Sequence, residues 1–136
     1  MKLLLDVNVV LDVALNRMPF VVDAARVLTG IDRGRAQGYV AAHTVTTVFY
    51  VVAKNQGYQG AVAAVAELLR ILDVVPAERA DLSQALSLGW RDFEDAVQSV
   101  SATKAGADYI VTRDLKDFRD SVVPVCEPAF VLPLLR

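Results

Sequence analysis

Lys2-Leu3-Leu4-Leu5-Asp6-Val7-Asn8-Val9-Val10-Leu11 decides the architecture. Residues 2–5 form a short, mostly apolar run, which is how a strand buried on both faces reads, and from Asp6 the spacing turns helical. A strand that passes directly into a helix begins a βαβ unit, so a parallel sheet covered by helices is expected. The alternation continues downstream. Pro19 is read as the first residue of a second helix reaching about Arg33. Gly34 and Gly38 bracket the turn into a strand at 39–42, after which His43 or Thr44 is expected to cap a helix running to about Asn55. Gly57 and Gly60 then separate it from an Ala-rich helix at 61–72. A short strand at 73–75, helices at 78–87 and 92–105, a clear strand at 108–112, further β signal at 122–125 and a last short helix at 127–135 complete the reading. Gly89 and Gly106 serve as helix stops. With no repeat, linker or low-complexity tract, one domain over residues 1–136 is expected.

The composition fits that reading. The 136 residues are 54% hydrophobic, enough for a sizeable core and too apolar for disorder. A single cysteine, Cys126, excludes a disulfide framework and a thiolate metal cluster, and makes a reducing cytoplasm the expected compartment. The first apolar run is broken at Asp6, too early for a signal peptide, and no stretch reaches the ~18 apolar residues of a membrane span, so no membrane association is expected. Net charge is -2, which gives no bulk attraction for polyanions. The charges are unevenly spread: seven of the acids fall between Asp92 and Asp120.

Ligands of open α/β sheets gather beyond the carboxyl ends of the strands. Asp6 directly follows the first strand and Asp114 follows the strand 108–112 by two residues. Both reach one rim if those strands are neighbours. Asp92 and Asp95 share a face of the helix that Asp92 opens, and its first turn can approach the same rim. Clustered carboxylates repel one another unless a cation neutralises them. Without a His or Cys cluster, an oxygen-only site for Mg²⁺ or Mn²⁺ is the consistent choice, and such an ion suits phosphodiester hydrolysis.

Three separated motifs carry a family resemblance: Leu3-Leu-Leu-Asp6-Val-Asn8-Val-Val-Leu11, Asp92-Phe-Glu-Asp95-Ala-Val-Gln98, and Gly106-Ala-Asp-Tyr-Ile-Val-Thr112-Arg-Asp114-Leu-Lys-Asp117-Phe118. In this order, over nearly the whole chain, they resemble a PIN domain of the VapC-type toxin branch. The resemblance implies a three-layer α/β/α fold with a central parallel sheet, an acidic pocket holding Mg²⁺ or Mn²⁺, and cleavage of single-stranded RNA. It also implies a cognate antitoxin protein and a homodimer. Carried over residue by residue, the family acids fall on Asp6, Asp95 and Asp114, as catalytic residues and metal ligands. The second acid does not transfer. Where many members have Thr-x-x-Glu, this chain has Thr44-Val-Thr-Thr47, so a neutral hydroxyl replaces a carboxylate unless Asp92, Asp12 or Glu94 compensates.

The supporting residues carry two readings each. Asn8 either holds Asp6 or caps the helix, and Asp12 is either an acid behind the site or a solvated residue. Asp92 is read first as an N-cap. Asp117 either joins the site or belongs to a turn anchored by Phe118, and Thr112 either serves the Asp114 loop or a substrate phosphate, or satisfies the strand end. Arg113, Lys116 and Arg119 either hold substrate phosphates or are solvated. His43 is read as a cap or interface residue, and Trp90 and Phe93 as core or dimer contacts. Two further functions compete with the nuclease. One is a catalytically weakened RNA- or partner-binding protein on the same fold, on account of Thr47. The other is a haloacid dehalogenase-type phosphatase, whose Asp-x-Asp is here Asp6-x-Asn8.

Overall fold

A computed structural model describes residues 1–135. Five strands, β1 (Lys2–Leu5), β2 (Gln37–Ala41), β3 (Asp73–Val75), β4 (Tyr109–Val111) and β5 (Val125–Cys126), form one sheet in the order β3-β2-β1-β4-β5. Every pairing is parallel. Parallel strands need crossovers, and these are supplied by α1 (Val7–Ala14), α2 (Val21–Asp32), α3 (Ala42–Ile71), α4 (Arg79–Ser87) and α5 (Phe93–Ala105), with the short α6 (Pro128–Val131) at the end.

Alternation along the central strand divides the core. Leu3 and Leu5 pack with Val9, Val27, Val48 and Val131 on the face covered by α1, α2, α3 and α6. Leu4 points the other way, with Ile110, Ala102 and Phe118, beneath α5. All three leucines are fully buried, as a strand covered on both faces requires. The result is the expected α/β/α sandwich. The strand order doubles back at β1, whose neighbours are β2 and β4, and this reversal opens a crevice at the carboxyl ends of β1 and β4.

Several local expectations are corrected. Pro19 does not open α2; it sits in the preceding turn after a cis Met18–Pro19 peptide, and the helix begins at Val21. Neither His43 nor Thr44 caps α3, because Ala41 occupies the cap position and both residues lie inside the first turn. The two helices expected on either side of Gly57 form one long element, broken only where Gly57 adopts φ 80° and ψ 176°. That backbone is open to glycine and costly for other residues. The last strand is Val125–Cys126, later than the 122–125 signal, because its register with Ile110 and Val111 is set by pairing to β4. The final helix is only Pro128–Val131, followed by a 3₁₀ turn at Leu132–Leu134. Gly106 does end α5, in the left-handed conformation with φ 69°.

Candidate active site

Leu5 pairs with Val111, so the residues that follow, Asp6 and Thr112, leave the sheet side by side. The Asp6 backbone N–H donates to the Val111 carbonyl at 3.0 Å, continuing the ladder one step past the strands. Asp6 occupies the N-cap position of α1 without using its side chain as a cap. Its carboxylate, 2% exposed, instead accepts from Thr112 Oγ1 at 2.8 Å and from Gln98 Nε2 at 3.0 Å. Burial raises the Asp6 pKa; the two donors pull it back and Asp114 adds repulsion.

Gln98 joins three elements. Its Nε2 also reaches Asp95 Oδ1 at 3.3 Å, while its Oε1 accepts from the Val7 backbone N–H at 3.2 Å. Gln98 is fully buried in a run of α5 otherwise built from Ala96, Val97, Ser99, Val100, Ser101 and Ala102. A buried amide must satisfy both ends, and here it does so by tying α5 to the β1–α1 junction. Two carboxylate oxygens bonded to one nitrogen at 3.0 and 3.3 Å lie at most about 6.3 Å apart, so Asp6 and Asp95 share one pocket. Asp95 titrates at about 7, raised first by burial and then by Asp92, Asp6, Asp117 and Asp114.

Asp114 arrives through the loop after β4. Its backbone N–H donates to Thr112 Oγ1 at 3.0 Å and its Oδ2 accepts from Asn8 Nδ2 at 3.1 Å. Thr112 therefore links Asp6 to the Asp114 loop, and Asn8 holds Asp114 where the sequence suggested Asp6 or a helix cap. The sequence reading missed Gln98 as a functional residue. The available signal was a long polar side chain three residues after Asp95, inside an otherwise small and apolar stretch.

Among the described residues, no three His, Cys, Asp or Glu side chains stand close enough together to ligate one ion directly. Asp6, Asp95 and Asp114 are nonetheless tied together through Gln98 and Thr112. The Gln98 amide stands between Asp6 and Asp95, and the Asn8 amide takes one oxygen of Asp114. The donor set still suits a hard cation that keeps much of its water: all the donors are oxygens, and Asp95 Oδ2 and Asp114 Oδ1 accept no hydrogen bond from the described residues.

The other candidates divide. Asp92 is the N-cap of α5, accepting from the Asp95 N–H at 3.1 Å. Asp117 lies in a 3₁₀ turn, Leu115–Phe118, anchored by the buried Phe118, and adds to the repulsion on Asp95. Asp12 is not solvated. Arg113 grips it with Nε at 2.9 Å and Nη2 at 3.2 Å, Arg17 stands 3.6 Å away, and the Arg113 guanidinium lies 4.1 Å from the centre of the Phe20 ring. Arg113, read as solvated or as a phosphate holder, is instead committed to Asp12, which follows from the planar match of its fork to a carboxylate. Glu94 is exposed, 3.9 Å from His43 Nε2. Burial lowers the His43 pKa, with Glu94, Asp92 and Asp6 opposing. Trp90 packs edge-on against Phe118, as the core reading expects, with ring centres 6.1 Å apart. Phe93 and Lys116 line an open groove of about 1230 Å³ that Asp92 and Asp95 also line.

Residues 2–116 match the family profile described as PIN domain, and the chain belongs to that family. It is 28% identical over 121 residues to Ribonuclease VapC1 of Aquifex aeolicus (strain VF5), covering 83% of this chain and 81% of that protein. Solved structures show the same fold. VapBC2 from Rickettsia felis, bound to a DNA fragment from its promoter, superposes with a TM-score of 0.73 at 14% identity, covering 93% of this chain and 98% of that one. Mycobacterium tuberculosis VapC20, a sarcin-ricin loop cleaving toxin, gives 0.72 at 16% identity, covering 87% and 94%. VapBC-1 from nontypeable Haemophilus influenzae gives 0.72 at 16% identity, covering 95% and 99%.

Proposed function

We propose that this chain is a metal-dependent endoribonuclease that cleaves single-stranded RNA in the cytoplasm, as the toxin of a toxin–antitoxin pair. The observation that carries the reading is the Gln98 amide shared by Asp6 and Asp95 at the strand-order reversal. It gathers two acids from separate elements beside a third, at a cost that is repulsion unless positive charge arrives. The likeness to a ribonuclease of Aquifex aeolicus supports RNA as the substrate, and the solved toxin–antitoxin complexes of the same fold support an antitoxin partner.

Mg²⁺ is commonly held by one or two carboxylates with several waters kept, which matches this pocket better than a closed cage does. Asp6, Asp95 and Asp114 are the residues that would hold the ion, directly or through its waters, with Asp95 Oδ2 and Asp114 Oδ1 accepting no hydrogen bond from the described residues. When bound, the ion supplies a polarised water and positive charge opposite the phosphodiester oxygens. The chain does the rest through positioning. Gln98 and Thr112 fix both oxygens of Asp6, and Asn8 fixes Asp114. An antitoxin that inserts a basic side chain among these acids would compete directly for their charge. Leu82 and Leu86, one turn apart on α4 and 40% and 72% exposed, are the proposed contact of a homodimer, which light scattering at micromolar protein would detect.

The test is cleavage of a single-stranded RNA pool in Mn²⁺ by wild type and Asp6→Asn. Wild type should cleave, and Asp6→Asn should lose at least about a hundredfold in rate, the scale seen when a charge-stabilising group is removed. Cleavage that survives both Asp6→Asn and a chelator would overturn the proposal.

A further inference from the structure

The groove lined by Asp92 and Asp95 has a wall that the proposed chemistry does not use. Phe93, the first residue of α5, is 45% exposed and lines it between Asp92 and Asp95, whereas neighbouring Trp90 is committed to Phe118. Arg91 and Lys116 line the same groove, and neither makes an ion pair among the described residues. Several basic side chains elsewhere are paired: Arg70 binds Asp32 and Glu67, Lys104 binds Asp81, and Arg113 binds Asp12. Arg119, the third base of the groove, comes no closer than 4.0 Å to Asp120. Phe93 is therefore an exposed aromatic ring in a groove that also presents unpaired cations beside the acids of the site.

Resting on the ribonuclease reading, we infer that this wall is the track of the RNA strand: Phe93 stacks on a base beside the scissile phosphate, and Arg91 and Lys116 take flanking phosphates. Every base offers a π-face to an aromatic ring, while cations along the groove follow the backbone without reading sequence. The groove's own acids, Asp92, Glu94, Asp95, Asp117 and Asp120, outnumber its three bases by two, so Arg91 and Lys116 act as local phosphate contacts within an acidic groove.

Steady-state cleavage of a short single-stranded RNA in Mn²⁺ separates the possibilities. Phe93→Ala should raise KM about tenfold with kcat changed less than twofold, and Phe93→Trp should restore KM, since stacking on one ring carries about that much affinity. Arg91→Gln combined with Lys116→Gln should raise KM and flatten the dependence of log KM on log salt by about 1.4, the share of two phosphate contacts to a single strand. Light scattering of each variant reports whether a dimer contact was removed instead. A KM for Phe93→Ala within twofold of wild type, or a rise in KM accompanied by loss of a dimer, overturns the track while leaving the nuclease standing. A wild type without Mn²⁺-dependent cleavage overturns both.

Discussion

Gln98 Nε2 donates to Asp6 Oδ1 at 3.0 Å, bridging two residues 92 positions apart in sequence and locking the middle of α5 against the carboxyl end of the central strand. Fold and site meet in this one bond. Replacing Gln98 by Leu keeps the bulk and removes both polar ends, so the Val7 N–H loses its acceptor and Asp6 a donor. We expect a loss of about 2–3 kcal/mol in denaturant unfolding. Gln98→Glu keeps the shape but sets another negative charge against Asp6 and Asp95. It should destabilise the metal-free protein further, with a larger recovery of thermal stability on adding Mn²⁺ than wild type shows. Equal recovery in the two proteins would place the metal somewhere other than beside Gln98.

The pH dependence of stability follows from Asp95. Its carboxyl titrates at about 7 in the fold against 3.8 in the unfolded chain, so between those values the folded state binds more protons. Stability in that window therefore falls as pH rises, and the raised Asp6 acts in the same direction. Asp32, Glu67 and Asp81 are shifted the opposite way by Arg70 and Lys104, but those pairs are exposed and add little. The thermal midpoint of the metal-free protein should drop between pH 5 and 7.5, and Asp95→Asn should flatten that slope. A midpoint that climbs across the window, or an unchanged slope in Asp95→Asn, would contradict the assignment.

The sheet was legible because Leu3, Leu4 and Leu5 leave no polar face, a pattern that only a strand covered on both sides tolerates. Asp6 and Asp114 were legible for the same reason: acids at the ends of such strands fall on one rim once β1 and β4 are neighbours. Gln98 escaped because its partners, Val7 and Asp6, lie 91 and 92 residues away, so its small and apolar neighbours signal burial without showing what its amide meets. The fates of Arg113 and Asp12, 101 residues apart, were hidden by the same kind of tertiary pairing. Pro19 misled because its fixed φ suits a turn as well as a helix start. Phe93 was read as core or dimer contact since aromatic residues are usually buried, and its exposure depends on how α5 is tilted over the sheet.

Asp12 tests whether a buried acid near the site serves the metal or the scaffold. Only 1% exposed and gripped by Arg113, it belongs to the scaffold. Asp12→Ala should cost about 2–3 kcal/mol by stranding a partly buried guanidinium, toward the lower end for a buried pair because Arg113 retains some solvent. Mn²⁺ affinity measured by calorimetry should stay within twofold of wild type. A tenfold fall in affinity without a matching loss of stability would return Asp12 to the metal site.

Thr47 stands where the Thr-x-x-Glu pattern has a carboxylate, and we propose that this sets how well the site works. Three acids were candidates to replace the missing carboxylate, and two are already engaged, Asp12 by Arg113 and Asp92 as the cap of α5, while Glu94 stands exposed beside His43. Thr47 itself is half-buried, three residues along α3 from Thr44, which shares its face and whose buried Oγ1 has no hydrogen-bond partner. The pocket therefore lacks one negative charge relative to the pattern Thr-x-x-Glu. Weak metal affinity and slow cleavage are expected of the wild type. Thr47→Glu should strengthen Mn²⁺ binding by about tenfold, the effect of one more hard anionic ligand or of a carboxylate ordering the ion's water shell. The rate on single-stranded RNA should rise in step, and Asp6→Asn should cancel the gain, since the new carboxylate acts only through an ion that Asp6 helps to hold. Strong wild-type cleavage that Thr47→Glu reduces would mean that the pocket is already complete without a carboxylate at this position. An added charge would then only crowd Asp6 and Asp95, whose carboxyls burial already pushes upward.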